Sequence, residues 1–252
     1  MKHAKRHPLI FGTIILTATG LITRVIGFFY RIYLSRLFGE EGMGIYQLLS
    51  PALSLSFSLT AAGYQTAISK SVAADRATRP SGNLKPLLAG TSITLPLSLV
   101  TNAILFFSAD PIGIFLLKDH RTVPMLRILS FSVPFAALHA CINGYFYGKK
   151  KASVPALTQL LEQLARVSCV FLVTGADLAE GRTPSINAAV LGLTVGEIFS
   201  MLIALVCLYI HLYPDSSILS LQNICPSVPV YRDLLGMALP LTANRIVLNI
   251  LQ

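Results

Sequence analysis

A chain of 252 residues with 54% hydrophobic and only 12% charged residues lies outside the ordinary soluble globular class, where charged residues make up about 25%. Its formal charge of +9 would suit a nucleic-acid binder, but the basic residues cluster at the ends of long apolar stretches and no aromatic-basic platform accompanies them. Their placement points to membrane topology and anionic lipid head groups as partners, and excludes nucleic acid.

A bilayer core of roughly 30 Å takes about 20 helical residues. Stretches that meet this length run over 8–38, 44–74, 84–107, 123–147, 154–174 and 187–213. A further one begins near Leu234 and is cut off at Gln252. The expected fold is an all-α polytopic membrane protein: an N-terminal six-helix bundle (1–213), a cytoplasmic linker (214–231) rich in prolines, and the start of a second bundle (232–252) whose remainder lies in a longer protein. The opening MKHAKRH followed by an apolar run has the look of a signal peptide, but the run continues past Arg24, which predicts an uncleaved first helix. Lys2, Lys5 and Arg6, then Lys70, Arg76, Arg79 and Lys85, then Lys149, Lys150 and Lys151 flank one side, against Arg36, Lys118, Arg121 and Arg182 on the other. The positive-inside pattern therefore puts the N-terminus and the even-numbered connections in the cytoplasm of a multi-pass cell-membrane protein. The connection at 39–43 is so short that spans one and two form a hairpin. The apolar patch 112–117 is too short to span and is expected at the outer interface.

Charges inside a membrane usually face a bundle interior or a wet cavity. In span one, Thr13, Thr17, Gly20, Arg24, Gly27, Arg31 and Ser35 fall on one helical face. Arg24 and Arg31 sit about 10 Å apart along it. A guanidinium pair suits phosphate, because the planar donor fork binds oxyanions bidentately; the plainer reading has Arg31 snorkelling to the outer interface. Span two carries Gln47, Ser50, Ser54, Ser58, Ala61, Gln65 and Ser69 at i+3/i+4 spacing, either a small-residue packing seam or a wet wall, with Gln65 the candidate for ligand contact.

In span four, Arg127 lies near the outer end, while His139 and Asn143 share a face; His139 reads first as a packing histidine and second as a proton relay. Span five places Gln159, Glu162, Gln163 and Arg166 on one face, with Glu162 and Arg166 spaced for an i,i+4 ion pair. In span six, Asn187, Thr194 and Glu197 share a face, and Gly192 with Gly196 forms a GxxxG packing seam on the opposite side. Glu162 and Glu197 are the ion-coupling candidates; Glu197 must pair across helices or hold a proton. In the truncated seventh span, Thr242, Arg245 and Asn249 lie together, and Arg245 is a further buried-cation candidate for substrate. Cys141, Cys169, Cys207 and Cys225 have no CxxC spacing and read as apolar fillers, so neither a disulfide nor a zinc site is expected. No Walker A loop, GxSxG, HExxH or dinucleotide-binding glycine pattern is present. Carriage without a cofactor, a metal or an enzymatic step is the expectation.

The run GLITRVIGFFYRIYLSRLFGEEGMGIYQLL at 20–49 resembles the N-terminal signature of the polysaccharide transporter branch of the multidrug/oligosaccharidyl-lipid/polysaccharide (MOP) exporter superfamily, within it the flippases of lipid-linked cell-wall precursors associated with sporulation. AAGYQTAISKSVA at 61–73 is similar to that group's second helix, and KPLL at 85–88 to the start of its third. The resemblance implies two six-helix bundles related by a pseudo-two-fold and a substrate of undecaprenyl pyrophosphate carrying sugars. It also implies alternating access and a cationic central cavity to which arginines of the first helix contribute, a role that falls on Arg24 in its TRxxG context and less closely on Arg31. The segment FGEEGMGIYQ departs from the flippase pattern, which has an aspartate soon after the first helix; Glu40 or Glu41 stands nearby in its place. Two other classes stay open on the sequence: a cation-coupled multidrug exporter of the same superfamily and a membrane scaffold for cell-envelope enzymes.

Overall fold

The computed structural model describes residues 8–78, 84–213 and 226–251. Helix α1 (Pro8–Leu48) opens the chain and is interrupted at Gly39, whose φ of 68° only glycine adopts without strain. It is followed by α2 (Ser50–Phe57), a π-helical turn (Ser58–Ala62) and α3 (Gly63–Thr78). The apolar segment Gly12–Asp75 is 64 residues long. Straight, it would extend about 96 Å, roughly three bilayer cores. Folding back at Gly39 instead yields the two antiparallel crossings expected from spans one and two.

Helix α4 (Lys85–Phe107) starts with Pro86 in its first turn, where the missing N–H costs nothing. A short helical turn α5 (Ala109–Pro111) and a π-helical turn (Ile112–Leu116) then carry Phe115 and Leu116 outward as exposed apolar side chains. Span four is α6 (Thr122–Ser130) and α7 (Ser132–Gly148), span five is α8 (Ser153–Ala179) and span six is α9 (Asn187–Leu212). These last three spans, with α4 and the folded first segment, are the stretches long and apolar enough to cross a membrane. The linker expected at 214–231 lies outside the described residues over 214–225, and α10 (Val228–Ile250) begins three residues before that range ends. Among the described residues there is no β-strand.

Two apolar clusters hold the bundle. One joins Tyr64, Ile68, Leu87, Tyr145, Phe146 and Leu234, tying α3, α4, α7 and α10. The other, toward the Gly39 end, joins Ile45, Leu105, Leu126, Leu129 and Val190. Glycines set the closest approaches. A Cβ on Gly144 would stand 2.5 Å from the Gln65 carbonyl oxygen, so α7 and α3 touch backbone to backbone there. A Cβ on Gly63 would meet the Ala238 carbonyl at 2.8 Å, which is how α10 docks beside the π-helical turn. Asn249 completes that junction by donating its Nδ2 to Ser58 Oγ at 2.6 Å. The π-turn inserts an extra residue into the helical period, so Gln65 and Ser69 beyond it are out of phase with the part of the span-two stripe before it; Ser58, at the start of the turn, is buried in this junction.

Candidate substrate and ion sites

Helix α1 lies against α8 through Tyr33, which stacks on Phe171 at 4.1 Å and shares a 2.7 Å hydrogen bond with Thr174. That contact brings the α1 stripe over the polar face of α8. Arg24, Gly27 and Arg31 of α1 and Gln163 and Arg166 of α8 line a cavity of about 380 Å³, closed on one side by Tyr30 and Tyr46. Gly27 faces Gln163 across this wall, where a Cβ would make an ordinary 3.6 Å contact with Gln163 Nε2. Arg31 also borders a second recess of about 170 Å³ with Gln47 and Ser50. Arg24 and Arg31 are both exposed, and among the described residues neither has an ion-pair partner. Two guanidiniums without ion-pair partners stand beside a third at the wall of one cavity, and a planar guanidinium fork is the donor geometry that suits an oxyanion.

Across α8 the polarity reverses. The expected pair forms, with Arg166 Nη2 donating to Glu162 Oε1 at 2.5 Å. The Gly192/Gly196 seam packs as expected: a Cβ at Gly192 would lie 3.0 Å from the Arg166 carbonyl, and one at Gly196 would lie 3.1 Å from that of Glu162. This close approach of α9 delivers Glu197 to the same level. His139, Glu162 and Glu197 each offer a ligand atom, and these atoms all lie within 4.8 Å of one another. Asn143 Nδ2 lies 2.8 Å from His139 Nε2, and His139 Nδ1 lies 3.6 Å from Glu197 Oε2. Thr158 and Ser200 complete the surroundings of the imidazole. Glu197 also borders a cavity of about 250 Å³ with Ser56, Thr60 and Ser132, so the acid cluster is not sealed.

The structure thus unites Arg24 with Arg31, and Glu162 with Glu197. It does not bring Gln65 or Arg245 to either group. Gln65 is half-buried against α7, and Arg245 is exposed on α10 while Thr242 packs at Gly63 of α3 and Asn249 bonds to α2 and the π-helical turn. Cys141, Cys169 and Cys207 sit on α7, α8 and α9, and Cys225 lies outside the described residues. Outside the spans, Glu41 is paired at 2.8 Å with Arg121 and does not stand as a lone solvated charge. Hydrogen bonds from Arg121 also hold the Asp119 carboxyl below its ordinary range. Sequence reasoning gave Arg166 only an internal ion pair and His139 chiefly a packing role. The cavity membership of the first and the acidic neighbours of the second depend on which helices meet.

The profile of the polysaccharide biosynthesis protein family matches residues 9–252, nearly the whole chain. The chain belongs to that family. It is 33% identical to stage V sporulation protein B of Bacillus subtilis (strain 168), over 95% of this chain and 46% of that protein. It is 26% identical to the lipid II flippase MurJ of the same organism, over 68% of this chain and 32% of the relative. An outward-facing multidrug resistance MATE family transporter of the MOP superfamily shares the fold, with a TM-score of 0.71 at 16% identity over 99% of this chain and 57% of that one. The chain spans about half the length of these curated relatives or less. Family membership and the apolar helices together make it a multi-pass membrane protein.

Proposed function

We propose that the protein carries an undecaprenyl-pyrophosphate-linked oligosaccharide or peptidoglycan precursor across the cytoplasmic membrane by alternating access, in cell-wall or spore-envelope synthesis. The observation that carries this reading is the pair of unpartnered guanidiniums, Arg24 and Arg31, on the wall of a cavity of about 380 Å³ within the membrane-crossing helices. Exposed to hydrocarbon, an arginine at mid-span costs several kcal/mol even on lenient insertion scales, about 2.5–3.5. An anionic head group in a wet cavity removes that cost. The task is to replace water around two phosphates while the polyprenyl tail stays in lipid. The likeness to the lipid II flippase and to stage V sporulation protein B supports the substrate class.

Alternation requires a second bundle that rocks against this one about the membrane midplane. The proposed arrangement is therefore the six-helix bundle, the 214–231 linker and α10 as the first helix of the partner bundle, with the N-terminus cytoplasmic. A cysteine at Lys150 is then labelled from the cytoplasmic side alone and one at Glu180 from outside; reversed labelling contradicts the orientation.

The direct test of carriage is translocation of a lipid-linked pyrophosphate sugar by the protein in liposomes. Arg24→Ala abolishes it with insertion and abundance unchanged, and Arg24→Lys restores part, since ammonium keeps the sign but loses the fork. Parental rates in an inserted Arg24→Ala protein remove the phosphate-reading cavity. The cluster of His139, Glu162 and Glu197 favours one second reading, a cation-coupled multidrug exporter. That reading predicts transport that tolerates Arg24→Ala and fails in Glu162→Gln.

A further inference from the structure

Arg166 belongs to both polar centres. Its guanidinium lines the cavity with Arg24 and Arg31, and its Nη2 holds Glu162 at 2.5 Å. Its Nη1 reaches Gln163 Oε1 only at 3.4 Å, and its Nε is buried with no hydrogen-bond partner among the described residues. A guanidinium has five N–H donors in a fixed fork. This one is under-used where it stands, and it retains capacity for an oxyanion.

Glu162 depends on it. The Glu162 and Glu197 carboxylates lie within 4.8 Å of each other, and two such groups in a largely buried site do not both stay ionised without a neighbouring cation. The charged or titratable groups beside Glu162 are His139 from α7, Glu197 from α9 and Arg166 on α8 itself; Arg24, Arg31, Tyr30 and Tyr46 of α1 border the cavity that Arg166 lines. Arg166 is the cation in direct contact.

We propose that Arg166 is a third guanidinium ligand for the substrate's pyrophosphate, and that its transfer from Glu162 to a phosphate oxygen makes the Glu162–Glu197 pair take up a proton. The proposal rests on the anion-cavity reading above and adds the coupling to it. The exchange balances. One N–H···O contact to carboxylate is replaced by one to phosphate, and a proton from water takes over the guanidinium's role of neutralising the acid pair. Substrate loading and the ion step are then linked through one side chain, with no contact between phosphate and either carboxylate.

The test is calorimetric titration of the detergent-solubilised protein with inorganic pyrophosphate near neutral pH, in two buffers of different ionisation enthalpy, for the wild type, Glu162→Gln and Arg166→Gln. Wild type takes up more protons per pyrophosphate bound than Glu162→Gln, a difference that subtracts the probe's own protonation. Glu162→Gln binds more tightly than wild type, because the carboxylate no longer competes for Arg166. Arg166→Gln binds about tenfold more weakly, the scale of one lost charged hydrogen bond, and its excess proton uptake disappears. A merely structural Arg166–Glu162 pair would weaken binding in both variants, so the opposite signs are diagnostic. Should Arg166→Gln not fold, Glu162→Gln alone decides. Equal proton uptake in wild type and Glu162→Gln, with or without a sodium requirement, overturns the exchange while leaving the cavity standing. No binding of pyrophosphate to the wild type overturns the cavity reading and the exchange with it.

Discussion

The segment that opens with α1 and the α6–α7 pair are both apolar enough to cross a membrane, yet 6% of the first one's apolar stretch is buried against 61% of the second's. They handle polarity in opposite ways. Helix α7 carries His139 and Asn143 inside a closed network with Thr158 and Ser200, so each polar atom finds a protein partner. Helix α1 presents Arg24 and Arg31 with no ion-pair partner among the described residues, on a face that shares a cavity. The His139 network is made of side chains that satisfy one another, whereas the two guanidiniums of α1 have no ion-pair partner among the described residues.

Backbone approach offers the largest contrast between the two regions. Gly144→Leu on α7 forces a side chain into the Gln65 carbonyl 2.5 Å away, and neither backbone can give. A loss of about 2–3 kcal/mol is expected, read as a lowered midpoint or lost folded yield in detergent. Gly20→Leu on α1 meets nothing within 4 Å and should leave the midpoint where it was. Equal effects at both sites would erase the distinction.

A smaller effect is expected at the hub of the buried network. His139→Ala strands the hydrogen-bonding groups of Asn143, Thr158 and Ser200, at a cost of about 1–3 kcal/mol for buried polar groups left unmade. Thermal denaturation of the variant measures it directly, and an unchanged midpoint would mean that water replaces the ring. The smallest effect belongs to α1: Arg24→Ala should alter the midpoint by less than the scatter of the measurement, since no ion pair is lost. A marked destabilisation there would recast Arg24 as a packing residue.

Much of this was legible in the sequence because membrane helices obey short-range rules. Length and hydropathy located the crossings, and i+3/i+4 spacing put Arg24, Gly27 and Arg31 on one face, as found. The Glu162–Arg166 pair and the Gly192/Gly196 seam are contacts of one helix turn, visible in periodicity alone. What single-helix periodicity does not contain is helix irregularity and how helices meet. The π-turn at Ser58–Ala62 shifts the helical phase by one residue, so a stripe extrapolated at constant period from Gln47 to Ser69 changes face midway. Arg245 was grouped with Thr242 and Asn249, but α10 turns Thr242 toward Gly63 and Asn249 toward Ser54 and Ser58, and leaves the arginine exposed. The meeting of His139 with Glu162 and Glu197 needs three helices in register, which no single-helix pattern encodes. Its only prior signal was that each of the three is a titratable group at mid-span.

The central claim is that the cavity reads phosphate with guanidinium forks. Its most direct test compares binding of a short-chain isoprenyl pyrophosphate and of a lipophilic cation to the wild type, Arg24→Lys and Arg24→Ala in nanodiscs. The account predicts that the pyrophosphate binds the wild type, weakens with added salt as expected for a wet cationic site, and loses affinity progressively through lysine to alanine, while the cation does not compete. Cation binding that survives Arg24→Ala, displaces the pyrophosphate and disappears in Glu162→Gln would contradict it.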